Sequence, residues 1–196
     1  MEAGVLAVSY TGSIASGGVA VQDGGTLENS GTIGGTTTVN SGGTLAGNGG
    51  SFGDAKMMGG SSLKWDISSF TGAAGSAWGL LGATNLDPTD LSSLNRMTIY
   101  LIGSSGPGSG SYSFAFFNTR GGVSGFDAED FVFDTSGLTL DPTLAGGDWS
   151  VVLAADSLNL VYSSPVPEPS QVAASVLLLG GIAGFVIVRR RKALVA

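Results

Sequence analysis

Apolar residues recur at every sixth position through the N-terminal third of the chain. They are Val21, Leu27, Ile33, Val39 and Leu45. The residues between them are mostly Gly, Ser, Thr and Asn, which favour turns because they adopt unusual backbone angles or hydrogen-bond to their own backbone. A period of six with turn residues at the corners predicts short β-strands that turn after each inward-facing apolar residue.

A longer unit of eighteen residues repeats the sequence Gly-Gly-Thr-Leu, which ends at Leu27 and again at Leu45. A variant of the motif with one inserted residue ends at Leu63. Three short strands make one coil of a parallel β-helix, whose coils stack like side chains on one another. We therefore predict that the three leucines form one inward column. Gly-rich disorder is the alternative, but it would not keep an apolar residue at every sixth position.

Longer strands are predicted between Leu63 and Tyr162, where apolar and polar residues alternate over longer segments. Two such segments flank Ala154–Ser157, which predicts a β-hairpin, and Gly103–Ser111 is predicted to be a flexible loop. We interpret this part as a cap, with a small separate β-sandwich as the alternative. The predicted strands are Leu63–Ile67, Met97–Ile102, Tyr112–Phe117, Phe131–Phe133, Trp149–Leu153 and Leu158–Tyr162.

The chain changes character at Pro165. Three prolines within residues 165–169 fix φ and remove backbone donors, so this spacer is predicted to be extended and exposed. The 17 residues 172–188 contain one polar residue, Ser175. As a helix they span about 26 Å, close to the thickness of a bilayer core, and the cluster Arg189–Lys192 that follows belongs on the cytoplasmic side. This pattern predicts a transmembrane helix. A buried core helix is the alternative, although it would place four cations beside a core.

The order of Pro167-Glu168-Pro169, an apolar helix and a basic stop resembles the PEP-CTERM sorting signal of Gram-negative bacteria, over about residues 165–194. The resemblance implies export across the inner membrane and recognition by an exosortase, a multi-spanning membrane cysteine protease. Cleavage near the motif then releases the preceding part of the protein or passes it to the cell surface.

Three groups of residues carry this prediction. The sorting motif consists of Val166, Pro167, Glu168 and Pro169. The membrane span is marked by Val172, Leu177, Leu178, Leu179, Gly180, Gly184 and Val188. The basic stop consists of Arg189, Arg190, Arg191 and Lys192. Gly180 and Gly184 are spaced for close packing of two helices, although glycine is common in such helices in any case.

The amino-acid composition excludes several kinds of functional site. There is no cysteine and no histidine, which excludes disulfides, thiolate metal sites, a thiol nucleophile and a Ser-His-Asp triad. Apart from Glu168 and the basic stop, the chain has 14 acidic and 4 basic residues, so we expect it to repel nucleic acid. We predict no enzymatic activity, no metal and no cofactor.

Acidic residues form two candidate sites that we weigh against simpler interpretations. Asp127, Glu129, Asp130 and Asp134 are close enough in sequence to bind calcium, but their spacing matches no recognised calcium loop and a solvated acidic turn is the favoured interpretation. Asp54 and Asp66 would make a glycosidase pair only if the fold brought them together.

Two further patterns are given structural interpretations. Asp87–Asp90 is predicted to form a turn that ends in the N-cap of a short helix at Leu91–Leu94. Trp65 and Trp78 are predicted to be core residues and not platforms for sugars.

Two more resemblances concern the part that precedes the sorting signal. Gly-Gly-Thr-Leu and Asn-Ser-Gly resemble the β-strand repeats of autotransporter passenger domains. Residues 125–131, 134–138 and 158–162 resemble the region that commonly precedes this signal in surface proteins with β-strand repeats. Such proteins begin with a secretory signal peptide, whereas Met1–Thr11 has no basic region and no adequate apolar core. We therefore expect the chain to be the tail of a longer protein, and a misassigned start is the alternative.

The predicted fold is all-β, a short parallel β-helix or solenoid with a β-rich capping region, followed by a single C-terminal transmembrane helix. Residues 1–62 hold the solenoid repeats and 63–162 the β-rich remainder. Residues 163–170 form the Pro-rich spacer, 171–188 the transmembrane helix and 189–196 the basic cytoplasmic tail.

These patterns predict an exported structural or adhesive protein of the cell surface or extracellular matrix. Its predicted partners are the inner membrane, an exosortase, and exopolysaccharide or other surface proteins. It is held in the inner membrane transiently, with its N-terminus outside and its C-terminus cytoplasmic. The alternative is a secreted carbohydrate-binding or carbohydrate-degrading β-helix protein. Two exposed aromatic residues in line would favour the alternative, and burial of all three tryptophans would favour the structural role.

Overall fold

Strands dominate the computed structural model, which describes residues 3–103, 111–139 and 146–164. The described residues belong to one compact unit, Met1–Ser164, and the all-β class is confirmed. A single turn of 3₁₀ helix at Ala128–Asp130 interrupts the strands of this part of the chain. The strands are β1 (Gly4–Val8), β2 (Ser13–Ile14), β3 (Val19–Val21), β4 (Gly25–Asn29), β5 (Thr32–Val39), β6 (Thr44–Ala46), β7 (Ser51–Met58), β8 (Ser62–Ile67), β9 (Leu81–Asp90), β10 (Met97–Gly103), β11 (Ser111–Val123), β12 (Phe131–Leu138), β13 (Asp148–Ala154) and β14 (Ser157–Ser163).

The chain passes back and forth between two sheets as it advances. One sheet has six strands in the order β1-β4-β6-β8-β10-β12, and all its neighbours are parallel. The other has the order β13-β14-β11-β9-β7-β5-β2, with β3 also paired to β5. Its pairs are parallel from β2 to β11, and β14 is antiparallel to both β11 and β13. Each passage through both sheets therefore adds one strand to each.

Leucines in register form a continuous column inside the six-stranded sheet. Leu27 pairs with Leu45, and Leu45 pairs with Leu63, so the predicted column is confirmed. Leu6 and Ile99 extend it on either side. Full burial of a Leu side chain contributes about 1.5–3 kcal/mol, and the three central leucines are at most 2% exposed. This column is therefore a major source of the sheet's stability.

The eight-stranded sheet holds the other apolar positions of the six-residue repeat. Ile33 pairs with Phe52, and Val39 pairs with Met57, so both six-residue positions of β5 face an apolar partner on β7. All four are buried. The six-residue period of the sequence therefore corresponds to one inward residue on the six-stranded sheet and two on the other.

A bulge in β5 separates Ile33 from the inward residues Thr37 and Val39. The register with β7 shifts between Ile33 and Thr36, where β5 carries the pair Gly34-Gly35. A Cβ built on Gly34 would collide with the backbone oxygen of Ala15, which directly follows β2. Only glycine allows these two segments of the chain to approach so closely at this bend.

Aromatic side chains replace this aliphatic packing towards the C-terminal end. The ring of Phe70 lies 5.3 Å from those of Tyr112 and Phe114, and 6.4 Å from those of Trp149 and Tyr162. These distances are typical of favourable aromatic pairs. The cluster joins the β8–β9 connection to β11 and to the β13–β14 hairpin.

All six strands predicted after residue 62 are present, and the predicted hairpin is formed by β13 and β14. Most of the predicted loop Gly103–Ser111 lies outside the described residues, and its two end residues belong to β10 and β11. Both sheets continue through residue 62, because β8 pairs with β6 on one side and with β10 on the other.

The helix predicted at Leu91–Leu94 was wrong. The preceding residues, Asp87–Asp90, end strand β9 instead of forming the predicted turn. Leu91 donates its N–H to the oxygen of Pro88, and Asn95 donates to the oxygen of Ser92, so the segment is a pair of tight turns. The neighbouring strand β7 supplies the hydrogen bonds that favour a strand at Asp87–Asp90.

Candidate functional site

The predicted sorting motif, membrane span and basic stop all lie outside the described residues, which end at Ser164. Within the described part of the chain, no helix is long and apolar enough to cross a membrane. The sorting signal therefore stays a prediction from sequence.

The three tryptophans are not exposed platforms. Trp65 is buried, and its indole N–H donates to the oxygen of Gly79 at 2.8 Å. Trp78 is half-buried and donates to the oxygen of Ala115 at 3.0 Å, while Trp149 is half-buried in the aromatic cluster. The core position predicted for Trp65 is thus confirmed, and Trp78 serves mainly to tie the β8–β9 connection to β11.

Asp54 and Asp66 do not converge. Asp54 is exposed on β7 of the eight-stranded sheet, where it accepts a hydrogen bond from the side-chain amide of Asn85 at 2.7 Å. Asp66 is exposed on β8, in the six-stranded sheet. A glycosidase needs its two carboxylates on either side of one scissile bond, and these two occupy different sheets.

Two of the acidic residues at positions 127–134 accept hydrogen bonds from backbone groups close to them in sequence. Asp127 caps the 3₁₀ turn by accepting the N–H of Glu129 at 3.0 Å, and Asp134 accepts the N–H of Ser136 at 2.9 Å. Hydrogen bonds from the side chain and the backbone N–H of Ser136 lower the pKa of Asp134, whereas burial raises the pKa of Asp130. Among the described residues, no group of three or more acidic side chains is arranged to hold a metal ion.

An ion-pair group lies on the outer face of β7 and β9. The ammonium of Lys56 is 2.7 Å from the carboxylate of Asp90 and 3.9 Å from that of Asp87. The hydrogen bond to Asp90 raises the pKa of Lys56, and hydrogen bonds from Thr89 lower the pKa of Asp87. The group is largely exposed, so it adds little stability and offers no enclosed chemistry.

A groove crosses the outer surface of the eight-stranded sheet, and its volume is about 780 Å³. One row of its lining residues is in register across five neighbouring strands, and a second outward row runs beside it. The first row is Thr32, Ser51, Gly82, Asn118 and Ser157. The second row is Gly34, Gly53, Thr84 and Arg120. Four steps of about 4.8 Å between strands give the groove a length of about 19 Å.

The turn of the β13–β14 hairpin lines one end of the groove. The N–H of Thr119 donates to the oxygen of Asp156 at 2.7 Å, which fixes the turn against β11. Arg120 and Asp156 are both exposed here, and neither has an ion-pair partner within 4.0 Å in the part of the chain that the structure describes. This end of the groove thus presents a strong donor group and a strong acceptor group to an incoming molecule.

Sequence reasoning missed this groove. Its lining residues come from strands far apart in the chain, and they share no motif or period. The bulge residues Gly34 and Gly35 gave a weak local signal, because paired glycines within a strand pattern often mark a bend or a close approach.

Comparison with protein-family models gives no match for this chain, and comparison with curated proteins gives no significantly similar sequence. The resemblance to PEP-CTERM proteins therefore depends on the C-terminal residues themselves.

Proposed function

We propose that the protein is an exported structural or adhesive component of the cell surface, built as a short parallel β-solenoid and delivered by a C-terminal PEP-CTERM sorting signal. The proposal of a structural scaffold rests on the in-register pairing of successive strands within each sheet. Their inward residues form columns such as Leu27, Leu45 and Leu63. Such coils contact mainly their sequence neighbours, which is the property of a solenoid.

The polar residues of the described part support a scaffold role. Asn29 is fully buried at a corner, where its side chain donates to the oxygen of Ser51 at 3.2 Å and accepts the N–H of Gly31 at 3.0 Å. Asn48 likewise donates to the oxygen of Gly75 and accepts the N–H of Leu80. These amides satisfy backbone groups at the turns, so they stabilise the coil and are not available for catalysis.

The delivery part rests on the sequence after Pro165. An extended proline spacer suits a protease cleft, an apolar span holds the chain in the bilayer, and a cluster of cations fixes its orientation. Moving each cation through the bilayer is opposed by about 2.5–3.5 kcal/mol. The three elements should therefore have separable effects.

The test of delivery is a fractionation blot in a host that has an exosortase. The Glu168→Ala variant should insert normally but escape processing, so full-length protein accumulates in the inner membrane. Deletion of Arg189–Lys192 should instead let uncleaved protein reach the periplasm. Glu28→Ala, which makes the same change at an exposed position of β4, is the matched control and should be processed normally. Normal release of Glu168→Ala would reduce the segment to a membrane anchor and refute the sorting proposal.

Carbohydrate degradation is the competing function. It is disfavoured by the separation of Asp54 and Asp66 on different sheets. Incubation of the purified protein with bacterial polysaccharides should yield no new reducing ends. Cleavage that disappears in the Asp66→Asn variant would overturn the structural role.

A further inference from the structure

The groove on the eight-stranded sheet is formed by residues of five neighbouring strands. We propose that it binds a neutral polysaccharide in an extended conformation, with Arg120 and Asn118 donating hydrogen bonds to sugar hydroxyls and Asp156 accepting them. The inference deepens the proposed function, since it rests on the adhesive role and names the class of ligand.

Shape is the first argument. The groove is open along the coil axis and crosses five strands, so it fits a chain molecule better than a compact metabolite. Its floor is formed by the backbone of the residues between the two outward rows, because the side chains of Phe52 and Ala83 point into the core. The outward side chains of Thr32, Ser51 and Asn118 in the first row are polar, so they can exchange hydrogen bonds with the hydroxyl groups along a sugar chain.

Gly82 is the second argument. At Gly34 and Gly53 a Cβ would collide with backbone oxygens of neighbouring strands, so packing requires glycine there. At Gly82 the nearest atom to such a Cβ would be the oxygen of Asn118 at 3.8 Å, and the backbone is not in the left-handed region. A glycine in a strand interior that packing does not require costs stability, and its effect here is to leave the middle of the first row without a side chain that would fill the groove.

Charge decides between neutral and anionic polymers. The chain without its sorting motif and basic stop has 14 acidic and 4 basic residues, so a polyanion is repelled over most of the surface. Arg120 lies in the groove together with Asp156, which would repel an anionic group held by the guanidinium. Hydroxyl groups both donate and accept hydrogen bonds, so a neutral polysaccharide can satisfy both side chains.

The experiment is native gel electrophoresis of the full-length chain in mild detergent, through gels that contain galactomannan, dextran or a mixed-linkage β-glucan. Gels with polygalacturonate and gels without polymer are run beside them. At least one neutral polymer should retard the protein. Arg120→Gln should weaken that binding about tenfold, the effect of one lost hydrogen bond to a charged group. Lys64→Gln, which removes an exposed cation from the other sheet, should leave it unchanged.

A second pair of variants separates a blocked groove from a damaged fold. Gly82→Leu should abolish retardation, whereas Thr98→Leu, on the outer face of β10, should not. Circular dichroism must show both to be folded. Retardation by none of the neutral polymers, retardation by polygalacturonate alone, or equal losses in Arg120→Gln and Lys64→Gln would each overturn the proposal. Binding is measured on purified protein and processing in cells, so failure of one is distinct from failure of the other.

Discussion

The strands up to β8 and the strands after it pack their interiors in different ways. From β4 to β8, successive partners in the six-stranded sheet are eighteen residues apart, and leucines fill the inward column. The next partners, Leu63 and Ile99, are separated by twice that number of residues. Aromatic rings pack the longer connection between β8 and β9 against the sheet. The first region is specified by a local repeat, whereas the second depends on contacts between distant segments.

Placing a charge in the leucine column should produce the largest effect. Leu45→Asp would bury an unpaired carboxylate between Leu27 and Leu63, at a cost of about 5 kcal/mol or more, which is comparable to the whole stability of many domains. We expect loss of the β-sheet signal in circular dichroism or a collapse of the melting temperature. Thr44→Asp, at the adjacent half-exposed position of β6, should change little. A Leu45→Asp protein that melts like the parent would refute the solenoid.

Removing the central ring of the aromatic cluster should come next. Phe70→Ala leaves a cavity among four other rings and should cost about 3–5 kcal/mol. Because the second region depends on these contacts, hydrogen exchange should accelerate in β11 and β14 and remain slow in β4. Phe70→Leu keeps most of the volume and should show a smaller loss. Equal acceleration in both regions would mean that they unfold as one unit.

These two expectations show how far sequence alone could reach. The column was predictable because Leu27, Leu45 and Leu63 obey a fixed interval. Strand β9 was missed because it contains Asp87, Pro88 and Asp90, which are residues typical of turns. The fold accommodates them because Pro88, which has no N–H, lies where the register with β7 shifts.

The groove was less accessible to sequence reasoning than the strands. Asn118 pairs with both Gly82 and Ser157 in the first row, although β10 separates β9 from β11 along the chain, and β12 and β13 separate β11 from β14. No local pattern encodes that adjacency. The aromatic contacts of Phe70 are hidden for the same reason, since its partners lie more than forty residues away along the chain.

Two glycine substitutions should have smaller effects on stability, and they test where packing requires glycine. Gly53→Ala would drive a methyl group against the backbone of β5 and should cost about 1–3 kcal/mol. Gly82→Ala has room for the methyl group and should be neutral or stabilise by up to about 1 kcal/mol. Urea unfolding of both variants measures the difference. An equal loss of unfolding free energy in both variants would contradict the view that, of these two positions, packing requires glycine at residue 53 and not at residue 82.

The smallest effect concerns a single carboxyl group in the second region. Burial raises the pKa of Asp130 above its unfolded value of 3.8, so ionisation of Asp130 reduces stability above the folded pKa and has no effect below 3.8. Asp130→Asn should therefore melt at a slightly higher temperature than the parent at pH 7 and at the same temperature well below pH 3.8. Glu129→Gln, at the exposed neighbouring residue, is the control. A lower melting temperature for Asp130→Asn at pH 7 would show that the carboxylate is stabilising.

The position of β14 has a mechanical consequence. It is the last described strand, yet it lies between β11 and β13 and not at the edge of its sheet. Tension applied to the chain at Ser164 must therefore break two hydrogen-bonded ladders together, whereas an edge strand would peel away from one. If the protein is held by its C-terminal end, β14 receives the pulling force and passes it to both of its neighbours, β11 and β13.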